Sequence, residues 1–215
     1  MPRRRSNHRL VPGLTSSYPT LKSARTVAKD CRACDLWKCG TQTVFGEGSS
    51  KARVMLIGEQ PGDREDIEGK PFVGPAGALL DRALAAAGVD RDKTYITNAV
   101  KHFKWEPRGK RRIHKKPNAL EIAACRSWLD LEIAIVQPDI VVCLGATAAQ
   151  ALLGRDFRVT RQRGQLLPFA GNQQVLATVH PSSILRAPDE AARDREFNLF
   201  VMDLRVATAA LLGSG

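Results

Sequence analysis

Residues 54–62 read VMLIGEQPG, and residues 175–185 read VLATVHPSSIL. In both segments a continuous apolar run ends in a short polar stretch that contains proline. Such apolar runs are typical of strands that are covered on both faces of a parallel sheet. Because open α/β sheets hold their ligands at the carboxyl ends of strands, we expect Glu59 and His180 to lie where a ligand binds.

The rest of the chain alternates between helix and strand patterns. These patterns predict helices over residues 21–29, 75–87, 118–136, 146–153 and 188–212, and strands over residues 51–57, 94–98, 139–144 and 175–179. Such alternation indicates a mostly parallel central sheet flanked by helices. A chain of 215 residues suits one three-layer α/β domain, which we place at residues 20–215 after a flexible basic arm at residues 1–19.

The chain is strongly basic, with a formal net charge of +11. Residues 101–116 contain eight lysines or arginines and one acidic residue, Glu106. A cluster of this density predicts a surface that contacts nucleic-acid phosphates. A membrane surface is the competing partner, but the stretch lacks the apolar face of an interfacial helix. With no signal peptide or membrane span in the sequence, we expect a cytoplasmic protein that binds no membrane.

Four of the five cysteines form a candidate metal site. Two residues separate Cys31 from Cys34, a spacing that lets one turn give two ligands to a metal. Cys125 and Cys143 lie on a predicted helix and on the strand that follows it, two elements that can fold against one another. Four thiolates suit either a [4Fe–4S] cluster or zinc. Cys143 could instead be an ordinary buried residue, because free cysteine is often found in protein cores. In that case Cys39 would replace Cys143 as the fourth ligand.

Several segments jointly resemble a known family. They are residues 58–62, 69–77 (GKPFVGPAG), 95–98 (YITN) and 180–185 (HPSSIL), together with the four cysteines. In this order they are similar to the iron–sulfur (family 4) uracil-DNA glycosylases, from about Cys31 to the C-terminus. Two features depart from the usual pattern of this family: Gln60 and the basic loop that contains RRIH at residues 111–114. Both features resemble the UdgX branch. Members of that branch become covalently attached to uracil-containing DNA.

The resemblance implies a role for each candidate site residue. Phe72 stacks on a flipped uracil, Asn98 reads its polar edge, and His180 hydrogen-bonds its O2 atom. After the glycosidic bond breaks, His114 bonds to C1′ of the sugar, while Glu59 orients the imidazole or accepts its proton. The implied cofactor is a [4Fe–4S] cluster, with zinc as the alternative. The residues expected to bind uracil are Gln60, Asp63, Phe72, Asn98 and His180.

The DNA backbone is expected to meet the basic stretch and the segment after the last strand. Basic side chains and hydroxyl groups are common phosphate contacts. The expected contacts are Lys101, Arg111, Arg112, Ser182, Ser183 and Arg186. The substrate is uracil-containing DNA, either single-stranded or duplex. We expect a monomer, because the sequence shows no heptad seam.

Two other functions remain open from the sequence. A hydrolytic glycosylase of the same fold would release uracil and leave an abasic site, with His114 contacting only phosphate. A non-catalytic, metal-stabilised module would bind nucleic acid regardless of uracil. Glu59 and His180 argue against the second alternative, because binding to the DNA backbone requires neither residue.

Overall fold

The computed structural model describes residues 17–212, so the predicted arm lies outside the described residues except for its last three positions. The strands of the central sheet are β1 (Glu47–Gly48), β2 (Val54–Gly58), β3 (Thr94–Asn98), β6 (Ile140–Leu144), β7 (Leu166–Pro168) and β8 (Gln174–Thr178). Strands β4 (Trp105–Arg108) and β5 (Arg111–His114) pair with each other outside this sheet. The central sheet has the order β1-β3-β2-β6-β8-β7.

The inner part of the sheet is parallel. Strand β2 pairs in parallel with β3 and β6, and β6 pairs in parallel with β8. The edge strands β1 and β7 are antiparallel to their neighbours. Every residue of β2, β3 and β6 is buried, as expected for strands with helices on both faces. The prediction of a mostly parallel sheet is confirmed.

Helices cover both faces of the sheet. They are α1 (Leu21–Ala28), α2 (Asp63–Glu68), α3 (Pro75–Ala86), α4 (Ala119–Val136), α5 (Ala146–Leu153), α6 (Val159–Gln162), α7 (Pro181–Leu185) and α8 (Glu190–Leu212). Leu80 of α3 and Phe200 of α8 pack in an apolar cluster on one face. Leu129 of α4 and Leu152 of α5 pack in a second cluster on the other face. The carboxyl ends of the parallel strands remain open at one edge of these layers.

Several elements were not predicted from the sequence, including the edge strands β1 and β7 and helix α6. The predicted basic loop is an antiparallel hairpin, in which Trp105 pairs with His114 and Gly109 turns the chain with a φ of 60°. Its strands are mostly exposed and carry no alternating apolar pattern that would have revealed them. Helices α2 and α7 have six and five residues, too few for a clear helical period.

No helix among residues 17–212 has the length and apolar character needed to cross a membrane.

Candidate active site

A cavity of about 640 Å³ lies at the carboxyl ends of the parallel strands. Eight residues predicted for the site line it, contributed by the segments after β2 and β8, by the end of β3 and by the hairpin. These residues are Glu59, Gln60, Phe72, Asn98, His114, His180, Ser182 and Arg186. The structure therefore brings together segments more than 100 residues apart in the sequence.

Phe72, Asn98 and His180 form a recess in this cavity. The rings of Phe72 and His180 have centroids 5.9 Å apart and are tilted by 31°. Gly58 makes room for the recess, because a Cβ there would collide with Asn98 Oδ1 and Phe72 Cζ. Phe72 adopts a positive φ of 57°, which a bulky residue rarely does. The recess thus combines a flat ring with a polar amide and an imidazole, which suits a planar heterocycle.

His180 is the N-cap residue of helix α7, and its hydrogen bonds define its tautomer. The backbone N–H of Ser182 donates to His180 Nδ1 at 3.2 Å, so Nδ1 is an acceptor. In a neutral ring the proton therefore lies on Nε2. Burial, followed by the charges of His114 and Arg186, lowers the pKa of His180 to about 4. A neutral imidazole with an Nε2–H donor is consequently held in the cavity near neutral pH.

Glu59 links the cavity to the hairpin. The Thr147 hydroxyl donates a hydrogen bond to Glu59 Oε2 and holds this carboxylate at the start of α5. The other carboxylate oxygen, Oε1, lies 3.4 Å from His114 Nε2. The side chain of His114 is 48% exposed, so its ring can meet a bound substrate. Sequence reasoning missed Thr147, although its position just after β6, a third parallel strand, was a usable signal.

Gln60 contacts the hairpin rather than presenting its amide to a ligand. Gln60 Nε2 donates to the carbonyl oxygens of Lys104 and Lys115, each at 3.1 Å. The N–H of Lys104 approaches Gln60 Oε1 at 3.4 Å. The amide therefore ties together the two ends of the hairpin that carries His114. The prediction that Gln60 binds uracil is corrected, because its polar atoms already have partners.

Arg112 and Asp63 form an ion pair with each other instead of meeting DNA and uracil. Arg112 Nε lies 2.6 Å from Asp63 Oδ1, and Arg112 Nη1 lies 2.6 Å from Asp66 Oδ2. Asp66 is fully buried, and its neighbouring charge helps to raise the pKa of Arg112. Two carboxylates thus hold the guanidinium against α2. The predictions of a phosphate contact for Arg112 and of a uracil contact for Asp63 are corrected.

Lys101 is completely buried, which rules out the predicted contact with DNA. Its Nζ lies 2.5 Å from Glu132 Oε2 and donates at 2.7 Å to the carbonyl oxygen of Asn98. Glu132 also accepts hydrogen bonds from Tyr95 and Thr97. A buried charge requires such pairing, because an unpaired one costs several kcal/mol. The network fixes the end of β3, from which Asn98 enters the cavity.

The remaining predicted DNA contacts lie on the hairpin and in the segment after β8. Arg111 and Arg186 are exposed, and Arg186 also lines the cavity. Ser182 lines the cavity, whereas the Ser183 hydroxyl donates to the carbonyl oxygen of His180. Arg111 and Arg186 are therefore accessible to a phosphate, whereas the Ser182 hydroxyl already lies 2.8 Å from His180 Nδ1. Ser183 instead stabilises the first turn of α7.

Three of the four predicted ligand cysteines lie together: Cys125 belongs to α4, and Cys31 and Cys34 lie beside this helix. A hydrogen bond from the Cys125 thiol to Cys34 lowers the pKa of Cys34 and raises that of Cys125. Trp128 Nε1 donates to Cys31 Sγ at 3.1 Å. Cys143 instead packs in the apolar cluster between the sheet and helices α4 and α5, where burial raises its pKa to about 12. The prediction that Cys143 joins the site is corrected, because its strand faces a closed apolar layer.

His102 is a buried group that sequence reasoning missed in this region. It is 4% exposed, its Nε2 lies 2.9 Å from the Thr43 hydroxyl, and its Nδ1 lacks a hydrogen-bond partner in the described part of the chain. The preceding residue, Lys101, donates its backbone N–H to Cys125. Across residues 17–212, no three His, Cys, Asp or Glu side chains are close enough to hold a single metal ion.

The fold and the cavity agree with comparisons to known proteins. The family model of the uracil DNA glycosylase superfamily matches residues 45–205, and the chain belongs to this superfamily. A type-4 uracil-DNA glycosylase from Thermotoga maritima is 40% identical over 159 residues, which cover 74% of this chain and 79% of the relative. A type-4 enzyme from Saccharolobus solfataricus is 45% identical over 168 residues, 74% of each chain. A type-5 uracil-DNA glycosylase from Pyrobaculum aerophilum is 34% identical over 186 residues, 77% of each.

Proposed function

We propose that this protein excises uracil from DNA and becomes covalently linked through His114 to C1′ of the resulting sugar, as in the UdgX branch. The observation that carries this proposal is the 3.4 Å contact between His114 Nε2 and Glu59 Oε1 at the edge of the recess. The similarity to type-4 and type-5 uracil-DNA glycosylases supports the excision step. A base inside a duplex is out of reach, so the nucleotide is flipped or taken from a single strand.

Uracil binds in the recess formed by Phe72, Asn98 and His180. Phe72 stacks on the ring, Asn98 pairs with its polar edge, and the Nε2–H of His180 donates to O2. When the glycosidic bond breaks, its electron pair leaves with N1 of uracil, and negative charge spreads to O2. A preoriented donor stabilises this charge as an oxyanion hole does, typically by a factor of about 10²–10³ in rate.

His114 then captures the sugar cation. Its Nε2 forms a bond to C1′ while the Nε2 proton passes to Glu59 Oε1, which leaves a neutral alkylated imidazole. The protonated Glu59 returns the proton to the uracil anion or to water. Thr147 keeps the carboxylate oriented during this transfer. Because the new C–N bond is not cleaved again, each protein molecule reacts once.

Hydrolytic turnover is the second candidate function. The 48% exposure of His114 favours it, because water has access to the same side of the recess. In that case Glu59 would orient a water molecule that attacks C1′. The product would be an abasic site and free protein.

The proposed cofactor is a [4Fe–4S] cluster, with zinc as the alternative. The direct contact between the Cys34 and Cys125 thiols supports a shared ligand set, and Cys31 contacts Trp128 of the same helix that carries Cys125. We take the unpartnered Nδ1 of His102 as the candidate for a fourth ligand. When bound, the group would cross-link the N-terminal segment to α4. Cys125→Ser should abolish the visible absorbance and metal content of purified protein, whereas Cys143→Ser should retain both.

Denaturing gel electrophoresis tests the covalent link directly. Protein mixed with a uracil-containing oligonucleotide should give a slower band, and a thymine oligonucleotide should not. His114→Ser should abolish the band while uracil excision, seen as strand cleavage after alkali, persists. A band that survives His114→Ser would overturn the assignment, and cleavage without any band in the wild type would establish hydrolytic turnover.

A further inference from the structure

A groove of about 600 Å³ lies between the N-terminal part of α4 and helix α5. Its volume falls within the roughly 300–1,000 Å³ that is usual for ligand sites. The floor is made by small apolar side chains, including Ala119, Ala123 and Ala151. None of the functions assigned so far uses this groove.

The groove continues into the candidate active site. Lys116 and Thr147 line both the groove and the cavity that contains His114. Thr147 is the residue that holds Glu59, so the groove begins beside the reacting groups. A DNA strand whose uracil occupies the recess must leave the cavity on both sides of that nucleotide. The groove opens from the cavity and offers one such path.

The electrostatics of the groove suit a phosphate backbone. The described residues that line it include three cations, Lys116, Arg126 and Arg155, and no carboxylate. Arg126 is held by Asp130, whereas Lys116 and Arg155 are exposed. Exposed cations beside an apolar floor, one before α4 and one after α5, suit contacts with phosphates while a base covers the floor.

We propose that this groove binds the DNA strand next to the flipped uracil, on one side of it. The inference rests on the proposed function, because it assumes that uracil-containing DNA occupies the recess. It assigns Arg155 to a flanking phosphate and the Ala119–Ala123 surface of α4 to a flanking base. The groove would therefore make reaction depend on nucleotides beyond the uracil itself.

Oligonucleotides with one-sided tails test the groove. Single-turnover excision is measured on three single-stranded substrates: a short one, one lengthened only on the 5′ side and one lengthened only on the 3′ side of uracil. One of the two tails should lower the half-saturating concentration in the wild type. Arg155→Ala should reduce this improvement in the half-saturating concentration about threefold. A plot of log affinity for the tailed substrate against log salt concentration should become less steep by about 0.7. Ala123→Trp, which fills the floor, should also reduce the gain for that tail alone.

Lys51→Ala is the matched control, since Lys51 is an exposed cation at the opposite end of the sheet. It should behave as the wild type on all three substrates. Equal effects of Arg155→Ala and Lys51→Ala, or equal effects on both tails, would overturn the proposal.

Failure of the proposed function would look different. Without uracil excision no substrate would lose uracil, and without the covalent step the slower gel band would be missing while the effect of the tail on excision remained. Fluorescence anisotropy with thymine oligonucleotides carrying the same tails keeps the groove testable in that case. Weaker binding of one tail by Arg155→Ala alone would support the groove, and unchanged binding would refute it.

Discussion

The two histidines of the cavity stand in opposite surroundings. His180 is held at the start of α7 by the Ser182 N–H and is kept neutral by burial. His114 lies at the end of an exposed hairpin, and its side chain is 48% exposed. The recess is therefore preorganised by the sheet, whereas the proposed capturing residue depends on a peripheral element. Base recognition and sugar capture should respond to different substitutions.

The largest effect is expected from the buried pair that supports the recess. Lys101→Met leaves Glu132 charged and unpaired in the interior, so the free energy of unfolding should fall by about 3–5 kcal/mol. Urea denaturation measures this loss. The double variant Lys101→Met/Glu132→Gln should recover much of it. A loss below about 1 kcal/mol, as for a surface ion pair, would contradict the account.

Next in size is the effect of removing the recess donor. His180→Ala should slow uracil excision by about 10²–10³, because the charge developing on O2 loses its hydrogen bond. Adduct formation should slow by the same factor, since it follows excision. Quenched single-turnover reactions, scored for alkali-labile sites and for the covalent band, give both rates. If only the formation of the covalent band became slower, His180 would act in the capture of the sugar instead of in uracil excision.

Gln60→Ala should show most clearly that the recess and the hairpin act separately. It removes two hydrogen bonds to the ends of the hairpin, each worth about 0.5–1.5 kcal/mol. The ratio of covalent adduct to excised uracil should fall roughly tenfold. Gln60→Glu is the informative companion, because it keeps the size of the side chain but loses the N–H donors. An unchanged ratio in both variants would show that the hairpin needs no such tie.

The last prediction concerns the pH dependence of stability. Unfolded histidine binds a proton below about pH 6.5, whereas folded His180 resists protonation until about pH 4. As pH falls through this window the unfolded state is favoured, by about 1.4 kcal/mol per pH unit. His180→Asn keeps an acceptor for the Ser182 N–H and removes the titration. Its unfolding free energy should therefore fall less steeply between pH 6.5 and 4.5.

The sequence was sufficient for the parallel sheet and for most of the cavity. Buried strands and the loops after them carry a local apolar pattern, so Glu59, Asn98 and His180 were placed correctly at the carboxyl edge. No comparable sequence pattern reveals which carboxylate pairs with which buried or half-buried cation. Lys101 and Arg112 lie in a basic run that suggested DNA contacts, yet distant carboxylates on α4 and α2 neutralise them.

The cysteine prediction failed for a similar reason. A helix and the following strand do fold against one another, but their facing side chains depend on register. Cys125 faces Cys34, whereas Cys143 faces the layer beneath α4 and α5. Spacing in the sequence does not reveal this difference of orientation.

The tie between Gln60 and the hairpin has a practical consequence for protein engineering. The chain enters the hairpin at Lys104 and leaves it at Lys115, and these two residues are joined by a backbone hydrogen bond of 2.9 Å. An insert whose ends already meet can be exchanged as a unit, provided that the buried Asp66, which pairs with Arg112 of the hairpin, is exchanged with it. Transplanting the hairpin, together with Gln60 and Asp66, into a type-4 uracil-DNA glycosylase would test whether the proposed covalent step travels with this element.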